Sequence, residues 1–349
     1  MRARKLVTFT MLLGLLVGVV GAVPAAASHD ANGKVCLVES EGPYDAELAA
    51  AAGAKAARAK LHVATDTRSS ASEAELLAHL DAFVTEGDCD LIMGVGFSVA
   101  SLMEPVIAAH PEQRFAAIDW TLGGSYDNAA EVFFLPDQAA FLAGYIAAGV
   151  TETGTVGVFG EFPFPNVTLF MDGYALGVDY YNDQHGTSVK VLGWDPVTQD
   201  GLFTFDFGDP AAGQALAGTL YDQGADIVFP AAGITSFGAA FEAAERKAAG
   251  DDVAVIGVDF DWVQALGDPD RIVLTSVVKD YGAAVFNQIE ALVNGTWSSG
   301  FVFEGLEAEV VDIAPFHKLN RIVPGYLKHD LKAIRTGIID ESIDTSPIY

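Results

Sequence analysis

Two ionisable residues stand where a fold could bring them to one ligand. Asp259 is the first charged residue after an apolar run, 253–258, that is bounded by turn residues and reads as a strand buried on both faces of a parallel sheet. Lys279 closes a second β-rich run, 272–278, twenty residues later. Ligands of open α/β sheets lie beyond the carboxyl ends of the strands, so both side chains are directed at one crevice. A carboxylate and an ammonium there can grip a polar ligand without any bond being broken.

Other chemistries lack their residues. Gly94-Val95-Gly96 follows a predicted strand, but the third glycine of a dinucleotide fingerprint is missing, and neither a G-x-x-x-x-G-K-[ST] loop nor a G-x-S-x-G elbow occurs. The seven histidines are scattered; His62, His79, His110 and His185 fall in surface, strand or loop contexts that suit structural roles. Cys36 and Cys89 have no histidine or further cysteine at metal-ligand spacing. No catalytic residue, metal or cofactor is expected, and the chain does not read as an enzyme.

The elements that must position these residues alternate along the whole chain. Strands are expected at 34–39, 61–64, 91–95, 115–118 and 131–135, with helices at 45–59, 72–86, 98–109 and 137–150. Ser72 and Glu75 have the spacing of a capping box. The second half repeats the order: strands at 155–159, 188–192, 227–230 and 253–258, and helices at 165–182, 210–223 and 236–248. This grammar predicts an α/β fold of two doubly wound parallel-sheet lobes with right-handed crossovers. A helix at 281–294 and tail strands at 301–311 pass back between the lobes and make a hinge. The expected division is 33–150 with about 276–300 in an N-terminal lobe, and 151–275 with about 301–349 in a C-terminal lobe.

Residues 1–27 are set apart. Arg2, Arg4 and Lys5 precede an apolar run and an Ala25-Ala26-Ala27 cleavage signal, which reads as a secretory signal peptide. No cysteine stands at the cleavage site, so a bacterial-type lipid anchor is not expected there. The exported chain would carry 16 basic and 47 acidic residues, a formal charge of about −31. Nucleic acid is excluded as a partner, because phosphate contacts need clustered Lys and Arg. The acidity fits either an ordinary solvated surface or life in high salt, where the repulsion is screened. Export permits a disulfide, but the inferred registers of Cys36 and Cys89 differ by roughly 6–7 Å, so separate buried thiols are expected.

Several stretches together resemble the basic membrane protein family of ABC-transporter substrate-binding lipoproteins, which includes the purine nucleoside receptor type. They are GFSVASLMEPVIAAHPEQRFAAID (96–119), FLAGYIAA (141–148), FGDPAAGQALAGTLYDQGADIVFPAAG (207–233), IGVDFD (256–261), LTSVVKD (274–280) and the tail VPGYLKHDLKAIRTGII. The resemblance covers about 34–339, and it is carried by the order and spacing of the motifs. It implies a type I periplasmic binding protein that holds a nucleoside between its lobes and delivers it to an ABC permease.

Carried over by the resemblance, Pro43-Tyr44-Asp45 takes the place of the family's Ser-Phe-Asn. Tyr44 would stack on a base, while Asp45, a carboxylate, only accepts where the amide also donates. Asp119 matches the acid that bonds the base, Phe207 and Phe229 match aromatics of the slot, and Gly233 would let backbone approach the ligand. Asp259 and Lys279 match the pair on the ribose hydroxyls. As bare residues, Asp119 and Asp259 equally fit turns that end strands, Lys279 a surface lysine and Phe229 a core aromatic. Phe164, Trp120 and Trp262 could each face the cleft or turn from it. A sensor of the same fold, or a carrier of a sugar or other polar metabolite, are the alternatives.

Overall fold

The computed structural model describes residues 32–41, 45–268 and 270–346. The expected signal peptide and Tyr44 lie outside these. In chain order the first elements are β1 (Lys34–Ser40), α1 (Asp45–Leu61), β2 (Ala64–Ser70), α2 (Glu73–Glu86), β3 (Leu91–Val95), α3 (Phe97–Ala100), α4 (Glu104–Ala109), β4 (Phe115–Ile118) and β5 (Ala129–Phe134). Then come α5 (Pro136–Val150), β6 (Thr155–Gly160), α6 (Pro165–His185), β7 (Lys190–Leu192), β8 (Trp194–Asp195), β9 (Asp200–Gly201), α7 (Pro210–Asp222) and β10 (Ile227–Ala231). The last are α8 (Phe237–Ala249), β11 (Ala254–Asp259), α9 (Trp262–Leu266), β12 (Val273–Lys279), α10 (Tyr281–Val293), β13 (Gly300–Glu304), β14 (Val311–Ile313) and α11 (Gly325–Ile339).

The central strands are continuous apolar runs: β3, β4 and β10 are buried at every position, as strands with helices on both faces must be. They assemble into two six-stranded sheets, ordered β13-β5-β4-β3-β1-β2 and β14-β12-β11-β10-β6-β7. All pairings in both are parallel except β12 with β14. The two lobes share one topology. In each, the order reverses beside the first strand of the lobe, between β1 and β3 and between β6 and β10, which is where a doubly wound sheet opens a crevice.

The chain passes between the lobes at three places, and they differ from the expected boundaries. Helix α5 packs on α6 in the second lobe. Glycines let the two backbones touch: a Cβ on Gly144 would stand 2.1 Å from the Tyr174 carbonyl oxygen, and one on Gly177 2.1 Å from that of Phe141. The first passage is therefore at Leu135, not after 150. β12 stays in the second sheet to Lys279, and α10 then packs on α1 through Gly53 and Gly282. β13 returns to the first sheet beside β5, and β14 crosses back to β12. Backbone bonds link the passages: Leu135 N–H donates to Glu304 (2.9 Å) and Asp280 N–H to Val310 (2.7 Å).

Other expectations change locally. Strand β2 begins at Ala64 rather than 61 because α1 continues through Leu61; its sequence ATDTRSS is a polar edge strand without an apolar run. The expected helix at 98–109 is divided by a turn before Glu104, where Pro105 starts a new helix. Ser72 is the N-cap of α2, but its hydroxyl makes no capping bond; Glu75 instead accepts from Ser70 Oγ at 2.5 Å.

The separate thiols are also corrected. Cys36 and Cys89 form a disulfide with a Cα–Cα distance of 5.9 Å. Cys89 precedes β3, and its segment folds across the start of β1 instead of extending the line of the strand. Asp90 N–H donates to the Lys34 carbonyl oxygen (2.7 Å) and Lys34 N–H to the Asp90 carboxylate (2.8 Å).

Candidate ligand-binding site

The carboxyl ends of both sheets face a cavity of about 350 Å³, within the range of small-molecule sites. At the switch point of the first sheet, Ser40 and Gly96 reach it from β1 and β3. At the switch point of the second, Glu161 follows β6 and Gly233 follows β10. Asp119 and Asp259 hold equivalent places. Each ends or directly follows its strand, and each has left-handed backbone, φ 67° and 66°. Asp tolerates that conformation better than most side chains, and such positions concentrate at functional sites.

Lys279 joins the two acids. Its Nζ lies 3.2 and 3.0 Å from the Asp119 carboxylate oxygens and 3.4 Å from Asp259 Oδ1. Tyr281, the first residue of α10, donates its hydroxyl to Asp119 Oδ2. The ammonium also lies over two rings, 5.1 Å from the centroid of Phe170 and 5.8 Å from that of Phe134. Burial works against its charge, but the two carboxylates outweigh this and hold the Lys279 pKa above its ordinary value. Burial pushes Asp259 up, opposed by Lys279. Since β12 carries Lys279 in one lobe and β4 leads to Asp119 in the other, this ion pair ties the lobes beside the Asp280 passage.

Aromatic rings also line the cavity. Phe97 follows Gly96, whose φ of 77° turns the chain from β3 into α3. Trp120 meets Phe97 edge-on at 5.0 Å. Phe207 stacks on Phe162 at 4.3 Å and faces Phe97 at 6.0 Å and 19°, across the cleft. Its loop is held by neighbouring acids: the Asp206 side chain accepts from Gly208 and Asp209 N–H, both at 2.8 Å, and Asp209 caps α7.

The expected site residues divide accordingly. Asp119, Phe207, Gly233, Asp259 and Lys279 meet at this cavity. Phe229 does not. It is fully buried in β10 and packs on Phe170 and Tyr174, so its place in the slot is corrected to one in the core. Asp45 is the first residue of α1. Phe164 and Trp120 line the cavity, whereas Trp262 is buried and donates Nε1–H to the Val258 carbonyl.

Gly233 has a second reason to be glycine. With φ of 49°, it offers the space where a Cβ would stand 2.3 Å from Glu161 Oε2. Glu161, Phe97 and Tyr281 were missed from sequence. Glu161 was accessible by the rule that singled out Asp259, being the first charged residue after an apolar strand. Burial, aided by Asp259 and opposed by Lys279, raises its pKa to about 7.

The family model described as ABC transporter substrate-binding protein PnrA-like matches residues 47–343. The chain belongs to this family. An uncharacterized lipoprotein of Pyrococcus abyssi is 28% identical over 303 residues, covering 85% of this chain and 72% of the relative. Basic membrane protein A1 of Borrelia garinii is 30% identical over 258 residues, 73% of this chain and 70% of the relative. Among solved structures, an ABC-transporter solute-binding protein of Aeropyrum pernix superposes with a TM-score of 0.70 at 27% identity, covering 89% of this chain and 92% of that one. This PnrA-like protein is thus an extracytoplasmic, non-catalytic solute-binding protein for a small polar ligand, with an ABC permease as its partner. Among the described residues no helix is long and apolar enough to cross a membrane.

Proposed function

We propose that the solute is a nucleoside, a purine nucleoside first. The observation that carries this reading is one cavity lined both by the Asp119–Lys279–Asp259 cluster and by the rings of Phe97, Trp120 and Phe207. A molecule with neighbouring hydroxyls on one end and a flat ring on the other matches both. Asp259 accepts from the ribose hydroxyls and Lys279 donates to them, while the base lies against the aromatic rings with Asp119 at its edge. Tyr44 and Asp45 join the base side by the family resemblance. A hydroxyl-lacking analogue leaves buried polar groups unpaired, weakening binding by about 1–3 kcal/mol per group. Closure of the lobes about the three passages encloses the ligand and presents the closed form to the permease.

A thermal-shift screen with nucleosides, free bases, sugars and amino acids tests this. A ligand at 100 times its Kd stabilises by about 2.7 kcal/mol, a readily measured shift. Purine nucleosides are expected to raise the midpoint, and Asp259→Ala to weaken their binding about tenfold or more. A shift with sugars alone, or an unchanged affinity in the variant, removes the nucleoside assignment.

A further inference from the structure

A second cavity of about 360 Å³ adjoins the first and is bordered by the same Asp119, Trp120, Phe164 and Asn166. Thr121 apart, its remaining wall is apolar, three phenylalanines and a proline. Phe133 of β5 and Phe301 and Phe303 of β13 line it from the first lobe, and Pro165 at the start of α6 from the second. Phe301 and Phe303 stack on each other at 5.8 Å and 11°, and Phe133 meets Phe303 edge-on at 6.2 Å. They are nonetheless 59% and 58% exposed. Alternation along β13 places both on one face of an edge strand, and Val302 between them points away. Paired exposed phenylalanines at a ligand cleft are an apolar surface waiting to be covered.

The geometry points to a second chamber of the binding site, which takes an apolar substituent carried on the base of the ligand. Three observations select this occupant. The chamber adjoins the cleft, with which it shares four lining residues. Those residues include Asp119 and Trp120, whereas Lys279 and Asp259 line only the first cavity, so the second chamber lies at the Asp119 end, where the nucleoside reading puts the base. Phe164 and Pro165 come from the second lobe and Phe133, Phe301 and Phe303 from the first, so the chamber, like the first cavity, is built by both lobes. The preferred ligand class is therefore a nucleoside with an aryl or branched alkyl group on its base, and this assignment rests on the nucleoside reading above.

Calorimetric titration of the full chain with adenosine and with N6-benzyladenosine tests it. The benzyl compound is expected to bind about tenfold or more tightly, from the apolar area it buries. The double variant Phe301→Ser/Phe303→Ser should remove that advantage and leave the Kd for adenosine unchanged, which also reports that the variant is folded. Equal affinities for the two compounds in the parent protein would overturn the second chamber while leaving the nucleoside reading in place; the exposed rings would then belong to a partner surface. If neither compound binds, both readings fall together.

Discussion

Among the described residues, Lys279 is the one cation that lines the cavity. It sits between Phe134 and Phe170 and bonds both Asp119 and Asp259, so the acids share one counter-charge. Glu161 lies near this cluster as a third carboxylate, and its pKa of about 7 against an ordinary 4.5 has a thermodynamic consequence. The folded, ligand-free protein holds a proton there that the unfolded chain has released. The corresponding stability is fully present below pH 4.5 and is lost as pH rises through about 7. Asp137, raised to about 6, and Glu304, raised to about 7, act in the same direction. Comparison of Glu161→Gln with the parent protein therefore isolates Glu161. In denaturant titrations the variant is expected to lose less stability between pH 4.5 and 7. Parallel curves would show that Glu161 titrates as an exposed acid.

Among the elements, β1 is the one most constrained. It pairs with β2 on one side and β3 on the other, and Cys36 within it is bonded to Cys89 just before β3. The disulfide spans 53 residues of sequence, a closure that contains β2 and α2. Cross-linking a loop of that size restricts the unfolded chain and is worth about 2–5 kcal/mol. Replacing both cysteines by alanine should lower the unfolding free energy by that amount in a denaturant titration. Because β1 ends at Ser40 on the cavity, loosening it should also weaken ligand binding. A double variant as stable as the parent would assign the bond no structural weight.

For the whole molecule, charge is the dominant feature. With 19 basic against 47 acidic residues, most carboxylates have no opposite charge to meet even if every Lys and Arg is paired. Arg246 already bonds Asp222 and Glu242, and Lys34 lies near both Asp66 and Asp88. Compaction of such a chain gathers like charges, and added salt screens them. The thermal midpoint of the ligand-free protein should therefore rise with sodium chloride from low ionic strength to molar concentrations. A midpoint that is constant or falls would mean that the surface carboxylates lie too far apart to repel.

The sequence by itself determined the two-lobed α/β fold, the strand ends and the acids that follow them. Buried parallel strands must be nearly continuous apolar runs, so the first charge after each run is written in the order of residues; Asp119, Asp259 and Glu161 are all legible in this way. It also carried Phe207 and Lys279 through the family motifs. Tertiary structure alone decided the rest. Phe229 went to the core because strand register, not residue type, selects a face, and Trp120 to the cavity where the chain leaves β4 through the left-handed backbone of Asp119. α5 joined the second lobe because glycine contacts with α6 outweigh its nearness in sequence to β5. Cys89 reached Cys36 because the turn before β3 folds over β1. The aromatic second chamber exists only because β13 returns to the first sheet, a pairing across more than 160 residues that no local pattern encodes.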